Sequence, residues 1–126
     1  MFTHVMVGAN DVEASKRFYD ATMAALGGEA PREHRGRWFY SHKGSRLAIT
    51  RPIDGAAASA GNGITISIAA DSREQVDAWH AAGLAAGGAA CEDPPGIRQS
   101  SLGPVYMAYL RDPAGNKLCV MHWPPA

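Results

Sequence analysis

The chain repeats itself, and this limits what it can fold into more than any other feature of the sequence. Shifted by 61 positions, Thr3-His4-Val5-Met6-Val7 falls on Ile64-Thr65-Ile66-Ser67-Ile68. At the same offset Asn10 meets Asp71, Glu13 meets Glu74, Phe18 meets Trp79 and Gly27 meets Gly88. The ends of the halves match at a larger offset of 71, which lays Gly44-Ser45-Arg46-Leu47-Ala48 on Gly115-Asn116-Lys117-Leu118-Cys119. The extra ten positions predict a longer loop in the second half, around Asp93-Pro94-Pro95-Gly96. A repeated unit of this size cannot bury its apolar face alone, so the halves must combine.

Each half reads as a strand, a helix and three strands. Val5 and Val7 alternate with His4 and Met6, and Ile64, Ile66 and Ile68 with Thr65 and Ser67, the period of a half-buried strand. Asn10 with Glu13, and Asp71 with Glu74, have capping-box spacing and predict two helix starts. Val12, Tyr19, Met23 and Leu26 form a stripe along the first helix, and Val76, Trp79 and Ala86 along the second. Gly27-Gly28 and Gly87-Gly88 end them. Strands are expected at Gly28–Glu33, Arg37–Ser41 and Leu47–Arg51, then at Gly88–Glu92, Val105–Arg111 and Lys117–His122. Turns are expected at His42-Lys43-Gly44 and Asp112-Pro113-Ala114-Gly115. The predicted class is therefore α+β: one domain with βαβββ units at 1–51 and 63–122, joined by an Ala/Gly/Ser-rich linker at 52–62.

The alternation sorts side chains onto two faces. Val5, Val7, Leu47, Ile49, Ile66, Ile68, Leu118 and Val120 should pack on the helices. The opposite set, His4, Met6, Ala48, Thr50, Thr65, Ser67, Cys119 and Met121, is mixed, as a ligand cleft requires. Tyr109 is a further pocket candidate, among middle-strand aromatics that include Trp38, Phe39, Tyr40 and Tyr106. Arg51, Arg98 and Arg111 are candidates for contact with an anionic group. His80 reads as packing, His34 and His42 as solvated, and Cys91 as a buried thiol. His122 alternates away from Cys119.

Twelve basic residues balance twelve acidic ones with no long run of either, which gives no footprint for nucleic acid or an anionic membrane. No apolar run approaches the roughly 20 residues of a membrane span. Met1 leads directly into a strand, so no secretory leader is expected, and two cysteines do not make a disulfide scaffold. A small soluble domain of the cytoplasm is the expectation. Phosphate loops, a Gly-x-Ser-x-Gly elbow and a Cys-x-x-Cys pair are all missing from the sequence.

The segment from His4 through Asn10-Asp11-Val12-Glu13 to Phe18-Tyr19 resembles the opening of a vicinal oxygen chelate domain, the glyoxalase/bleomycin-resistance/dioxygenase superfamily. The segment Tyr109-Leu-Arg-Asp112-Pro113-Ala-Gly115-Asn116-Lys-Leu-Cys119 resembles its closing signature. The resemblance implies that the two units form an incomplete eight-stranded barrel around a cleft, in a homodimer that handles a small molecule. It also implies a divalent metal (Zn, Ni, Fe or Mn) acting as a Lewis acid in the lyases, isomerases and dioxygenases of the group, and none in its bleomycin-sequestering members. The family draws ligands from the first and last strands of each unit. The corresponding positions here are His4, Ala48, Thr65 and Cys119. His4 and Cys119 are the candidate metal ligands, and His4 is also the candidate catalytic base. Alanine binds nothing and a threonine hydroxyl is a poor ligand, so the set falls short of the three protein ligands of catalytic zinc. Two functions remain open at this point: a glyoxalase-like enzyme, or a metal-independent protein that sequesters a small ligand.

Overall fold

The structure is a computed structural model and describes residues 1–124. The first unit runs β1 (His4–Gly8), α1 (Val12–Ala25), β2 (Arg32–His34), β3 (Arg37–His42) and β4 (Ser45–Thr50). The second runs β5 (Ile66–Ala69), α2 (Arg73–Ala85), β6 (Ala89–Ser100), β7 (Gly103–Arg111) and β8 (Lys117–His122). Each unit makes its own four-stranded sheet, in the orders β1-β4-β3-β2 and β5-β8-β7-β6. Two tandem βαβββ units are thus present, and the sheets are not closed into one barrel. No helix is long and apolar enough to cross a membrane.

Strand register repeats the offsets read from the sequence. Val5 lies opposite Leu47 and Val7 opposite Ile49; their counterparts Ile66 and Ile68 lie opposite Leu118 and Val120. On the other face Met6 opposes Ala48, as Ser67 opposes Cys119.

The helices form where expected, with caps one residue later. Asp11, not Asn10, caps α1, its carboxylate accepting from Ala14 N at 3.0 Å. Ser72, not Asp71, caps α2, accepting from Gln75 N at 3.1 Å, while Gln75 reaches back to Asp71 N. Either neighbour offers a capping oxygen, and the composition alone does not choose between adjacent candidates. Asn10 instead holds the interunit linker, accepting from Ala58 N at 2.7 Å. Helix α1 buries Ser15, Phe18, Tyr19, Thr22 and Met23, a stripe at helical spacing, and α2 buries Val76, Trp79 and Gly83. Ala86 falls just past the second helix as its C-cap.

The strands around the predicted long loop depart most from expectation. Strand β6 is twelve residues long and continues through Asp93-Pro94-Pro95, with its register broken by a bulge between Cys91 and Gly96. Because β6 is an edge strand, its prolines forfeit no ladder hydrogen bond on the open side. Arg98 closes the bulge by donating to the Asp93 and Pro94 carbonyls at 2.8 and 3.0 Å. Strand β2 is shorter than expected, and β3 and β4 meet at a two-residue turn whose central residues, Lys43 and Gly44, both have positive φ (49° and 81°).

One core joins the units. Val7, Leu47, Ile49, Leu118 and Val120 are buried with Phe18, Tyr19, Met23 and Trp79 of the helices, and Val5, Ile66 and Ile68 pack against them. A polar knot pins this core. The Asp112 carboxylate, 4% exposed, accepts from Tyr19 Oη at 2.6 Å, from Asn116 Nδ2 at 2.9 Å and from the Ala114 and Asn116 backbone N–H groups at 2.9 Å. Asn116 also donates to the Gly8 carbonyl at 3.0 Å. The closing signature of the second unit therefore grips the first unit's helix and strand.

Candidate ligand-binding cleft

The outer faces of the two sheets, away from the helices, carry the predicted site residues, and no strand ladder joins the two sheets. On the first sheet His4 is exposed and Met6 is 38% exposed, while Ala48 is fully buried beneath its neighbours. The His4 ring meets Phe39 edge-on with centroids 6.1 Å apart, and its Nδ1 lies 3.2 Å from the Thr3 hydroxyl. Thr50 accepts from Arg37 Nε at 3.2 Å and donates to the Arg51 carbonyl at 2.8 Å.

On the second sheet Val105, Met107 and Cys119 are buried together, with Tyr109 and Met121 packed against them. Ser67 lies opposite Cys119 and is exposed; Thr65 stands one residue before β5, also exposed. Thus Tyr109, Cys119 and Met121 come together, and His4, Met6 and Thr50 share the other sheet. None of the second group joins the second sheet's cluster.

Burial pushes the Cys119 thiol up to about 11, against the opposing pull of the Ser67 and Tyr109 hydroxyls beside it. With no metal bound this sulfur is a buried, protonated thiol at neutral pH. Among the described residues no three His, Cys, Asp or Glu side chains stand together. Among the described residues the His4 ring has the Thr3 hydroxyl as its side-chain hydrogen-bond partner, where metal-bound imidazoles commonly rest on a carboxylate or carbonyl. With Ala48 offering a methyl group, the residues of one chain do not fit a catalytic metal.

Two concavities flank these surfaces. An apolar one of about 320 Å³ opens between the units, lined by Val5, Met23, Tyr40, Leu47, Ile66 and Ile68 among others. Its lining also includes Arg46 and Ser67, so it brings one predicted pocket residue of the second sheet beside a residue of the first. The second, about 560 Å³, lies on the first sheet's outer face and includes Arg32, Phe39, Ser41 and Arg46.

The arginines singled out in the sequence are partly spent on structure. Arg98 closes its bulge, and Arg111 donates to the Gly115 carbonyl of its own turn at 2.8 Å. The arginines that do face the outer surface, Arg32, Arg37 and Arg46, escaped the sequence reading. Parity was the available signal: Arg46 stands two residues from Ala48, and Arg37 two from Phe39. His80 is half-buried on α2, where burial holds its imidazole below the usual range against the pull of Asp77.

Fold and site define a duplicated βαβββ domain with a concavity on the outer face of its first sheet and a buried apolar cluster on that of its second. The chain belongs to the Glyoxalase/Bleomycin resistance protein/Dioxygenase superfamily, whose family model matches residues 1–120. A crystal structure of a glyoxalase/bleomycin resistance protein from Albidiferax ferrireducens T118 is 52% identical, with a TM-score of 0.94 over 98% of this chain and 99% of that one. A lactoylglutathione lyase from Agrobacterium tumefaciens is 25% identical, with a TM-score of 0.62 over 97% of this chain and 92% of that one. A glyoxalase-related enzyme from Fulvimarina pelagi, 21% identical with a TM-score of 0.74 over 100% of this chain and 92% of that one, shares the fold. No curated protein matches the chain.

Proposed function

We propose that the protein is a metal-independent small-molecule binder of this superfamily, acting as a homodimer. In that dimer the outer face of the first sheet meets the outer face of a second copy's second sheet, and the ligand lies between them. The observation that carries this reading is the equivalence of Met6/Ala48 and Ser67/Cys119 in strand register. Ala48 and Cys119 are two of the four places from which the resemblance draws metal ligands, and they offer a methyl group and a buried thiol; of the other two, Thr65 offers only a hydroxyl and His4 stands alone. The division of the predicted pocket residues between two separate sheets supports a cleft shared between copies. Two free thiols, Cys91 and Cys119, suit a reducing compartment, and we place the protein in the cytoplasm.

Elemental analysis of the purified protein, with thermal melts in Zn, Ni, Mn and Fe, tests the reading. No stoichiometric metal and no metal-dependent rise in melting temperature are expected. Stoichiometric metal that vanishes in His4→Ala would instead establish the metal-dependent enzyme, with His4 as its ligand.

A further inference from the structure

The first sheet's outer face has an unusual charge inventory. Register places three ranks across it: His34, Arg37, Thr50 and Gly8; then Arg32, Phe39, Ala48 and Met6; then Ser41, Arg46 and His4. The ranks hold three guanidiniums, two imidazoles and no carboxylate. The ion pairs among the described residues are Lys16–Asp20, Lys43–Asp71 and Lys117–Glu92, so none of these arginines has an acidic partner. Glu29 and Glu33 line the concavity together with Arg32, His34 and Arg46, and Glu33 accepts from the Gly36 N–H at 2.7 Å. In a chain of zero formal charge, three guanidiniums thus share one small face, and none of them is in an ion pair.

Glu92, near the second sheet's cluster, is not free to neutralise them in the proposed dimer, being bound to Lys117. Nor are the groups all free to swing into solvent. The bond from Arg37 Nε to Thr50 Oγ1 fixes that guanidinium and leaves its terminal N–H groups unengaged. Between the ends of the face, the half-buried Phe39 offers a flat apolar ring opposite the buried Ala48. Guanidinium forks match the planar oxygens of carboxylate and phosphoryl groups, and they strengthen as water is excluded.

We infer that this face is an anion site. It takes a small molecule with a carboxylate or phosphoryl group on a planar apolar body, the anion against Arg46 and Arg37 and the flat part on Phe39 above Ala48. The positive charge that a metal supplies in the resembling enzymes is carried here by guanidinium. The inference rests on the proposed cleft and adds the class of ligand to it.

Calorimetric titration with phenylphosphonate, benzoate, benzyl alcohol and benzylamine tests it, the first two being the anionic probes. One or both anions should bind and raise the melting temperature, with affinity falling as sodium chloride is added. Which anion binds more tightly separates a phosphoryl from a carboxylate ligand. Arg46→Gln and Arg37→Gln should each weaken binding about tenfold or more, the scale of a lost charge-assisted hydrogen bond. Arg17→Gln, on the exposed part of α1, should leave binding unchanged, and the unliganded melts should show that all three variants fold. If benzyl alcohol binds as tightly as the anions and the arginine variants bind normally, the cleft stands and the anion assignment falls. If no probe binds at millimolar concentration, the cleft reading falls with it.

Discussion

Asp112 shows what a single residue does in this fold. It sits in a turn of the second unit, yet its nearest partner, Tyr19, is 93 positions away in the first. Removing the carboxylate leaves a buried phenol and two backbone N–H groups without acceptors, and unsatisfied buried donors cost more than the bonds they lose. Asp112→Ala should therefore lose about 2–4 kcal/mol in urea denaturation, and Tyr19→Phe about 1–2 kcal/mol. A loss below the error of the measurement for Asp112→Ala would show that the knot is incidental. Both residues are visible in the sequence as parts of the opening and closing signatures. Their pairing is not, because nothing local connects positions so far apart.

Cys119 makes a second prediction at this scale. Its thiol is raised by burial to about 11 in the folded chain, above the ordinary value of about 8.5. Between those values the unfolded chain has lost the proton and the folded chain keeps it. The unfolded state binds fewer protons there, so stability present below pH 8.5 falls as pH rises, with a slope approaching about 1.4 kcal/mol per pH unit. Cys119→Ala should show a shallower alkaline decline than the parent when both are denatured in urea across this range. Equal slopes would mean that the thiol titrates normally. Sequence parity placed Cys119 opposite the helices, but its burial comes from Val105, Met107 and the aromatic beside them, which parity does not count.

At the level of elements, alternation and helical stripes were legible because they are local and repeated. Val5 to Val120 sorted onto the correct face, since a strand's side chains alternate whatever surrounds them. The helix caps were legible only to within a residue. The extent of β6 was not legible at all: two adjacent prolines argue for a loop, and only its edge position makes a bulged strand the cheaper path. Close packing between elements was equally hidden. At Gly88 an added Cβ would meet the Gly83 carbonyl at 2.8 Å and the Phe18 ring at 2.5 Å, a contact of second-unit backbone with the first helix. The obstructing carbonyl is backbone and cannot rotate away. Gly88→Ala should thus cost about 1–3 kcal/mol and loosen the seating of α1, read as a lower denaturation midpoint with an unchanged slope. A neutral outcome would mean that the loop leading into β6 shifts freely.

On the scale of the whole molecule the two units are alike in register and unlike in use. The second unit's turn grips the first through Asp112; the equivalent turn of the first reaches back differently, with His42 Nε2 at 2.9 Å from the Ala69 carbonyl and Lys43 paired with Asp71. Their outer faces differ as well, one a row of guanidiniums around Phe39, the other an apolar patch over Cys119. Strands β1 and β5 each pair on one edge only, so each leaves a free row of backbone donors and acceptors. Large apolar side chains stand beside both: Phe2 just before β1, 69% exposed, and Ile64 just before β5, 60% exposed. Apolar groups this exposed beside open strand edges are expected at an interface between copies. Light scattering of the eluting protein should therefore give the mass of two chains. The Phe2→Asp/Ile64→Asp variant should shift it toward one chain on dilution and lower the melting temperature, because each charge would have to be buried on association. Circular dichroism at high concentration distinguishes this from unfolding, since a dissociated but folded chain keeps its helical signal. If the folded variant stays dimeric at every dilution, the copies meet elsewhere and the shared cleft must be rebuilt on another surface. If it becomes monomeric and also stops binding ligand, the two outer faces work only together, each sheet supplying half of a site that neither chain completes alone.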